Sequence, residues 1–368
     1  MNSNQKDEYI ADIGDYLKVF ACTAVMLQPI LGLVLKLHPS VEIQSLVGVL
    51  YNLVKYTAPA FIFGILYTTL RTNPTSSWQD YGSYLGKQWH ALLVPTIWWT
   101  LIYLIGMPWV QQHEHFHNFK SFLWQFVNGN AAPHLWYNTM MLQFIILMPL
   151  FWQLGRFVNN NPRRGKTIAL VTSLLYLGWL IFYDIEVFHG PHQNNWYLLD
   201  RVFISFIIYG VFGVLAWKFA PQVNQWLRKH WKLMVAFVIL MFCWTNLELF
   251  HFGFPVSLAN APYYKVSMTL YSLGIIALVA TLCIWHMEVK KDRLLKIFHF
   301  LATYAYRAYL SNIFWTQIIW RITPAQIHTA HPILSLFVNW IITWILSFAS
   351  AIGLHVGWSK LKSLVGVK

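Results

Sequence analysis

Three cations lie inside apolar stretches, where an ionisable side chain is costly: Lys18, Lys55 and Arg307. Asp15 precedes Lys18 by three positions, so the two side chains share a helix face, and either mutual neutralisation or phosphate binding by Lys18 explains them. Lys55 and Arg307 each lie about 15 Å from a span end at 1.5 Å per residue. We expect both to border one polar cavity that takes an anionic group, with donation to backbone carbonyls as the alternative.

The histidines give a second set of candidates. The run His113, Glu114, His115 and His117 has spacings that two metal ligands could use, but it lacks defined third and fourth ligands. A solvated loop is favoured, and no metal site is predicted. His134 follows the turn at residues 128–130, and its position suits either an interfacial side chain or the lining of an external opening.

These residues are carried by a chain whose composition is that of a membrane protein. Of its 368 residues 57% are hydrophobic and 11% are charged, against roughly 25% charged in a soluble domain. This composition excludes a disordered chain and a nucleic-acid-binding domain, and no motif of the common soluble enzymes occurs. We predict an all-α, multi-pass membrane protein, one domain over residues 1–368. The ten predicted spans are 13–37, 45–70, 89–110, 135–154, 167–184, 201–220, 232–251, 264–288, 296–321 and 331–359.

The charge distribution gives an orientation. The chain carries 26 Lys and Arg against 13 Asp and Glu, a net charge of +13. Most of these cations fall in alternate connectors and in the two tails, including Arg163, Arg164, Lys290 and Lys291. The positive-inside rule therefore predicts that both termini are cytoplasmic, with a weaker attraction to anionic lipid headgroups.

Several local strings, in order along the chain, resemble the acyltransferase-3 family of membrane O-acyltransferases, and in particular its branch that modifies intercellular-adhesion polysaccharides. Residues 15–29 are similar to the family's first helix, and residues 58–67 to its phenylalanine-rich second helix. His134, Leu135 and Trp136 resemble the family's entry to the fourth helix, while residues 304–312 are similar to its late serine-to-histidine stretch.

The resemblance implies transfer of an acyl group, acetyl expected, from cytoplasmic acyl-CoA to a cell-surface glycan or other envelope acceptor. The family's first-helix arginine and histidine fall on Lys18 and Pro29, its late histidine falls on Asn312, and its basic pair before the third helix is reduced to Lys87 and His90. A base must therefore come from elsewhere.

We predict His134, His90 and Lys18 as catalytic residues, with no bound cofactor and no nucleic-acid partner. The predicted substrate-binding residues are Arg307, Lys55, Lys87, Asn312 and Gln28. Two alternatives stay open. One is a family member without catalysis that exports or escorts a polysaccharide or lipid-linked substrate, and the other, less supported because no internal repeat is evident, is a secondary transporter.

Overall fold

The computed structural model describes residues 10–74, 76–113 and 115–365, and over these residues the protein is helical, with no strand. Short 3₁₀ and π turns, among them Trp89–Leu93 and Tyr197–Arg201, lie between or within the longer helices. The α-helices are α1 (Ile13–Val25), α2 (Leu27–Leu35), α3 (Val41–Leu53), α4 (Thr57–Thr72), α5 (Tyr81–Gln88), α6 (Val94–Leu101), α7 (Phe119–Asn128), α8 (Trp136–Ile146), α9 (Met148–Val158), α10 (Pro162–Glu186), α11 (Ile207–Lys218), α12 (Ala220–His251), α13 (Val266–Glu288), α14 (Asp292–Ile322), α15 (Ala325–Ala330) and α16 (Pro332–Val365).

Seven helical segments of the described chain are long and apolar enough to cross a membrane, and an eighth is obtained if α8 and α9, which meet at 54°, form one bent span. The protein is therefore a multi-pass membrane protein, as predicted. The segment Phe203–Lys218 is apolar but short, and α14 has the length without the hydropathy because aromatic and polar residues interrupt it. Ten spans, and one domain over residues 1–368, stay predictions. The seven segments are Ile13–Leu35, Val41–Thr72, Trp78–Gly106, Pro162–Glu186, Ala220–His251, Val266–Glu288 and Pro332–Lys360.

The connectors fall into two groups at opposite ends of the helix bundle. At one end, here the terminal face, residues 10–12 meet the end of α4 through an ion pair between Arg71 Nε and Asp12 Oδ2 at 2.6 Å. At the other end, here the loop face, the long connector 107–135 folds on itself, with the amide of Gln112 donating to the carbonyl of Asn130 at 2.8 Å. Successive long helices run between these two faces.

Two of the membrane segments are interrupted near the middle of the bundle. The first breaks at Met26, between α1 and α2, three residues before Pro29, whose missing N–H cannot bond to the carbonyl of Val25. The second breaks at residues 54–56, between α3 and α4. The side chain of Gln28 joins the two breaks, because its Nε2 donates to the carbonyl of Val54 at 2.9 Å.

Helix α4 lies inside the bundle, and glycines allow its neighbours to approach it closely. A Cβ added at Gly213 of α11 would lie 2.7 Å from the carbonyl oxygen of Phe63, and one added at Gly14 of α1 would lie 3.1 Å from that of Gly64. Small residues at helix contacts are a common packing device in membranes, where lipid gives little hydrophobic force for association.

Candidate functional site

A cavity of about 590 Å³ lies between the two helix breaks and the loop face. This volume is within the range of small-molecule sites. Five of its lining residues are Gln28, Pro29, Lys55, His134 and Asn312. The structure thus brings together four predicted site residues, and with them Pro29, the position where the resemblance places the first-helix histidine.

The cavity opens at the loop face. Gln112 and His113, from the connector 107–135, line it and are exposed, as are Gln193 and Asn194 from the connector after α10. A ligand can therefore enter without passing through the apolar surface of the bundle.

His134 stands on the cavity wall with one ring nitrogen engaged and the other free of hydrogen bonds. Its Nε2 lies 3.2 Å from the carbonyl oxygen of Leu310, which can only accept, so Nε2 carries the hydrogen and Nδ1 is the bare acceptor. Nδ1 is buried and has no hydrogen-bond partner. Burial lowers the pKa of His134 to about 3, so the imidazole is neutral at physiological pH.

Two further polar groups on the same wall lack partners. The Nδ2 of Asn312 donates to the carbonyl of Tyr309 at 2.7 Å, but its Oδ1 is buried without a hydrogen bond, and so is the hydroxyl of Tyr137. Buried polar groups are normally satisfied, because an unmet one costs about 1–3 kcal/mol. Three residues that line this cavity thus each carry a polar atom without a hydrogen-bond partner.

The loop that carries His134 is held by Arg201, a residue that no sequence pattern had indicated. Arg201 is 6% exposed, and its Nη1 donates to the carbonyl of Asn128 at 2.6 Å and to Oδ1 of Asn130 at 2.7 Å. Its Nε pairs with Asp200 at 2.6 Å. Between the two asparagines Gly129 has φ of +70°, and a Cβ there would lie 2.7 Å from Cα of Trp136. Only a buried guanidinium can satisfy this many acceptors at once.

Lys55 lies in the break between α3 and α4, and is 7% exposed. Its Nζ donates to the hydroxyl of Tyr51 at 2.7 Å and lies 4.3 Å from the centre of the Tyr263 ring. The hydroxyls of Tyr263 and Thr57 are 3.1 Å apart, and Gln28 Nε2 donates to Thr57 at 3.2 Å. Polar contacts therefore connect Lys55 to the first break: a cation–π contact with Tyr263, followed by hydrogen bonds that link Tyr263, Thr57 and Gln28.

A family model described as an acyltransferase domain, acyltransferase-3, matches residues 14–356. The chain belongs to the acyltransferase-3 family. It is therefore a membrane acyltransferase, and the family implies O-acyltransferase activity. No curated protein and no solved structure matched it. The match does not resolve the branch, so modification of an intercellular-adhesion polysaccharide stays a prediction.

Lys18 of this acyltransferase lies outside the cavity, towards the terminal face. Its Nζ is 3.4 Å from Oδ1 of Asp15, and Nδ1 of His299 is 2.9 Å from the other oxygen of that carboxylate. The predicted neutralising pair is thus present, and a third partner joins it. A direct catalytic role for Lys18 at the cavity does not fit this position.

Arg307 does not border the cavity with Lys55, so the predicted shared cavity is wrong for this residue. Its Nη1 lies 2.9 Å from Nδ1 of His355, and it is half-buried on α14. Residues near the centre of a predicted span can point to another side of the helix, and Arg307 lies five positions, about 500° of helical rotation, before Asn312, which does line the cavity.

Lys87 and His90 are exposed, at the end of α5 and in the π turn that follows, and neither lines the cavity. Glu114 of the histidine-rich connector lies outside the described residues, and His113 lines the mouth of the cavity, its ring stacked on Tyr197 at 3.9 Å. Among the described residues no three His, Cys, Asp or Glu side chains are grouped to hold a metal ion.

Proposed function

We propose that this acyltransferase moves an acyl group, acetyl expected, from cytoplasmic acyl-CoA to a hydroxyl of a cell-envelope glycan that binds in the 590 Å³ cavity. The observation that supports it most directly is that His134 lines the cavity and has a ring nitrogen, Nδ1, without a hydrogen-bond partner. The positions where the family resemblance places its histidines, Pro29 and Asn312, line the same cavity. His134 is thus the base that replaces them.

The chemistry requires one proton acceptor at the attacking oxygen. As the sugar hydroxyl attacks the acyl carbonyl, Nδ1 takes the hydroxyl proton, the new C–O bond forms and the C–S bond of the thioester breaks. The proton ends on the released thiol. An imidazole that is neutral before the reaction is in the correct state to accept this proton, and the bond from Nε2 to the carbonyl of Leu310 fixes its tautomer.

The wall of the cavity suits a carbohydrate. Tyr51, Trp136, Tyr137 and Tyr263 all line it. Their rings offer flat apolar faces and, at the tips, groups that form hydrogen bonds. A sugar ring has the same division, with C–H bonds on its faces and hydroxyls at its edge.

The test compares His134→Ala with His90→Ala in cells that lack the native gene, by mass spectrometry of surface glycans. We expect His134→Ala to reduce acylation by a factor on the order of 10²–10⁴. His90 is exposed and off the cavity, so His90→Ala is the matched control and keeps acylation at the native level. Acylation that persists undiminished in His134→Ala would overturn the assignment of the base.

One observation favours a second function, export or escort of a glycan without catalysis. Pro29 stands where the resemblance places the family's first-helix histidine, and proline has no group that exchanges a proton. In that case deletion of the gene changes the amount of surface polymer and leaves the acyl mass unchanged. The same mass spectra distinguish the two functions.

A further inference from the structure

Lys55 is a buried cation whose charge has no carboxylate beside it. Within the described residues no Asp or Glu oxygen lies within 4 Å of its Nζ, and its one hydrogen bond goes to the neutral hydroxyl of Tyr51. The rings of Tyr51 and Tyr263, 4.4 and 4.3 Å from Nζ, stabilise the ammonium through their π faces. An ammonium has three N–H donors, and this environment uses one of them in a hydrogen bond.

The acidic residue that lines the same cavity is already neutralised. Asp200 accepts from Arg201 through both oxygens, at 2.6 and 3.2 Å. The carboxylate of Asp200 is therefore paired with Arg201, the residue that holds the loop of His134. Asp200 attracts Lys55 only from beyond ion-pair distance, so Lys55 is the cation on the described wall of the cavity that has no ion-pair partner.

The ends of two helices lie next to Lys55, the partly negative end of α3 at Leu53 and the partly positive start of α4 at Thr57. Helix α4 begins at Thr57, directly after the break, and no side chain caps its first turn. Thr57 and Ala58 line the cavity, so the partly positive start of the helix lies beside the ammonium. Other residues that line the cavity carry the unmet groups, which are Nδ1 of His134, Oδ1 of Asn312 and the hydroxyl of Tyr137.

We propose that the acceptor is an acidic sugar, and that its carboxylate or phosphate group binds Lys55 at the start of α4 while a hydroxyl of the same sugar faces His134. This inference rests on the proposed function for the identity of the acceptor as a glycan. The anionic group supplies the counter-charge that the cavity lacks, and it fixes which hydroxyl reaches Nδ1.

Two negatively charged reactants are available, because acyl-CoA carries phosphates as well. The cavity opens among the exposed residues Gln112, His113, Gln193 and Asn194 at the loop face, the end of the bundle opposite to Asp12, Asp15 and Lys18. The positive-inside rule places the loop face outside the cell. The acceptor reaches Lys55 from that side, whereas acyl-CoA approaches from the terminal face and brings its thioester end, but not its phosphates, to His134.

Binding to the purified full-length protein in detergent tests this inference without any acyl transfer. Titration calorimetry compares methyl β-D-glucuronide and glucose 1-phosphate with the neutral methyl β-D-glucoside, and with coenzyme A. We expect at least one acidic sugar to bind roughly tenfold or more tightly than the neutral one, since charge-assisted bonds to a desolvated ammonium are strong. Lys55→Met should remove this preference and Lys55→Arg should keep part of it.

Lys36→Met is the matched control, because Lys36 is an exposed lysine at the loop face that does not line the cavity. Equal affinity for acidic and neutral sugars in the native protein overturns the inference, and this comparison needs no variant to fold. Acidic preference that survives in Lys55→Met also overturns it, as does coenzyme A binding that depends on Lys55. Acidic preference together with unacylated glycans would leave the inference standing and refute the proposed function.

Discussion

His134 combines a fixed tautomer with a strongly lowered basicity. Nε2 is held by the carbonyl of Leu310, and the backbone carbonyl of His134 itself accepts from the hydroxyl of Tyr309. The rings of Tyr103 and Tyr309 stand edge-on to the imidazole at 5.4 and 5.0 Å. This packing excludes water from the ring, and the cost of a buried charge then keeps the ring neutral.

The pH dependence of activity should show that the His134 imidazole stays neutral. An ordinary histidine, with a pKa near 6.5, loses its base form as the pH falls below that value. Because burial lowers the pKa of His134 to about 3, its base form persists well below pH 6. We expect the ratio of native to His134→Ala rates to stay constant from about pH 8 to about pH 5. A fall in that ratio centred near pH 6.5 would contradict the buried, neutral imidazole.

Arg201 links two segments of the loop face through one side chain, its own connector and the turn at residues 128–130. Removing it leaves the carboxylate of Asp200 and the acceptors at Asn128 and Asn130 without their donor. Breaking a buried ion pair costs about 3–5 kcal/mol. We expect Arg201→Met to lower thermal stability in detergent by this order of free energy, and to impair activity through displacement of His134.

The control for Arg201 is Arg321→Met, because Arg321 is exposed and packs over the ring of Trp109 at 3.9 Å. An exposed cation–π contact contributes about 0.5–1 kcal/mol. Equal melting temperatures for Arg201→Met and Arg321→Met would show that the Arg201 network contributes no more than a surface contact.

At the scale of the helix, the breaks in the first two membrane segments leave backbone carbonyls that accept hydrogen bonds from side chains instead of from amides of the same helix. Val54 exposes a carbonyl that Gln28 uses, and Leu53 exposes one that accepts from Tyr271 at 2.8 Å. Broken helices are tolerated inside a membrane where neighbours satisfy the freed groups, or where they line a cavity. Both conditions hold here.

Close packing of α11 holds α4, the helix that follows the break at residues 54–56, in position. A Cβ at Gly213 would lie 2.7 Å from the backbone oxygen of Phe63, a position that cannot move without shifting α4. We expect Gly213→Ala to destabilise the protein by about 1–3 kcal/mol, the range for overpacking, in thermal unfolding followed by aggregation in detergent.

Gly178 of α10 is the matched control, since it is an exposed helical glycine with nothing within 4 Å of its added Cβ. Alanine there should be neutral or stabilising by up to about 1 kcal/mol, because alanine favours the helix. A Gly213→Ala protein as stable as Gly178→Ala would mean that α11 and α4 are not closely packed.

At the scale of the whole molecule, the two faces can be assigned to sides of the membrane by cysteine labelling in a Cys243→Ala background, which removes the exposed cysteine of the three. We expect Asn194→Cys at the loop face to react with an impermeant maleimide on intact cells. Asn160→Cys, in the connector between α9 and α10 at the terminal face, should react only after the cells are opened. The reverse labelling pattern would contradict the predicted orientation and place the terminal face outside the cell.

Much of the fold followed from the hydropathy and charge of the chain. Apolar runs predicted the helical membrane character, and the predicted 13–37 and 264–288 nearly coincide with Ile13–Leu35 and Val266–Glu288. The breaks at Met26 and at residues 54–56 were not predicted. Hydropathy is averaged over a window, so it does not register a local interruption. Pro29 and Pro59 do mark the breaks, because each is the third residue of the helix that follows a break.

The sequence predicted four of the residues that line the cavity, but it misplaced Arg307 and missed Arg201. The predicted residues Gln28, Lys55, His134 and Asn312 meet at one cavity, because each lies beside a break, at a helix entry or on the inner side of α14. Arg307 was selected by its depth in a span, but depth does not fix direction. Arg201 was overlooked because its partners come from a turn more than 70 positions earlier in the chain, a separation that no local pattern reveals.

The mouth of the cavity also bears on how this protein could be inhibited. Its rim is built from the polar residues Gln112, Gln193 and Asn194, and the buried residues His134 and Lys55 line the cavity further in. If cysteine labelling places the loop face outside the cell, a charged, water-soluble compound that mimics an acidic sugar would act without crossing the bilayer. Poor permeability, which is ordinarily a defect in a drug candidate, would then confine such a compound to the side where its target opens.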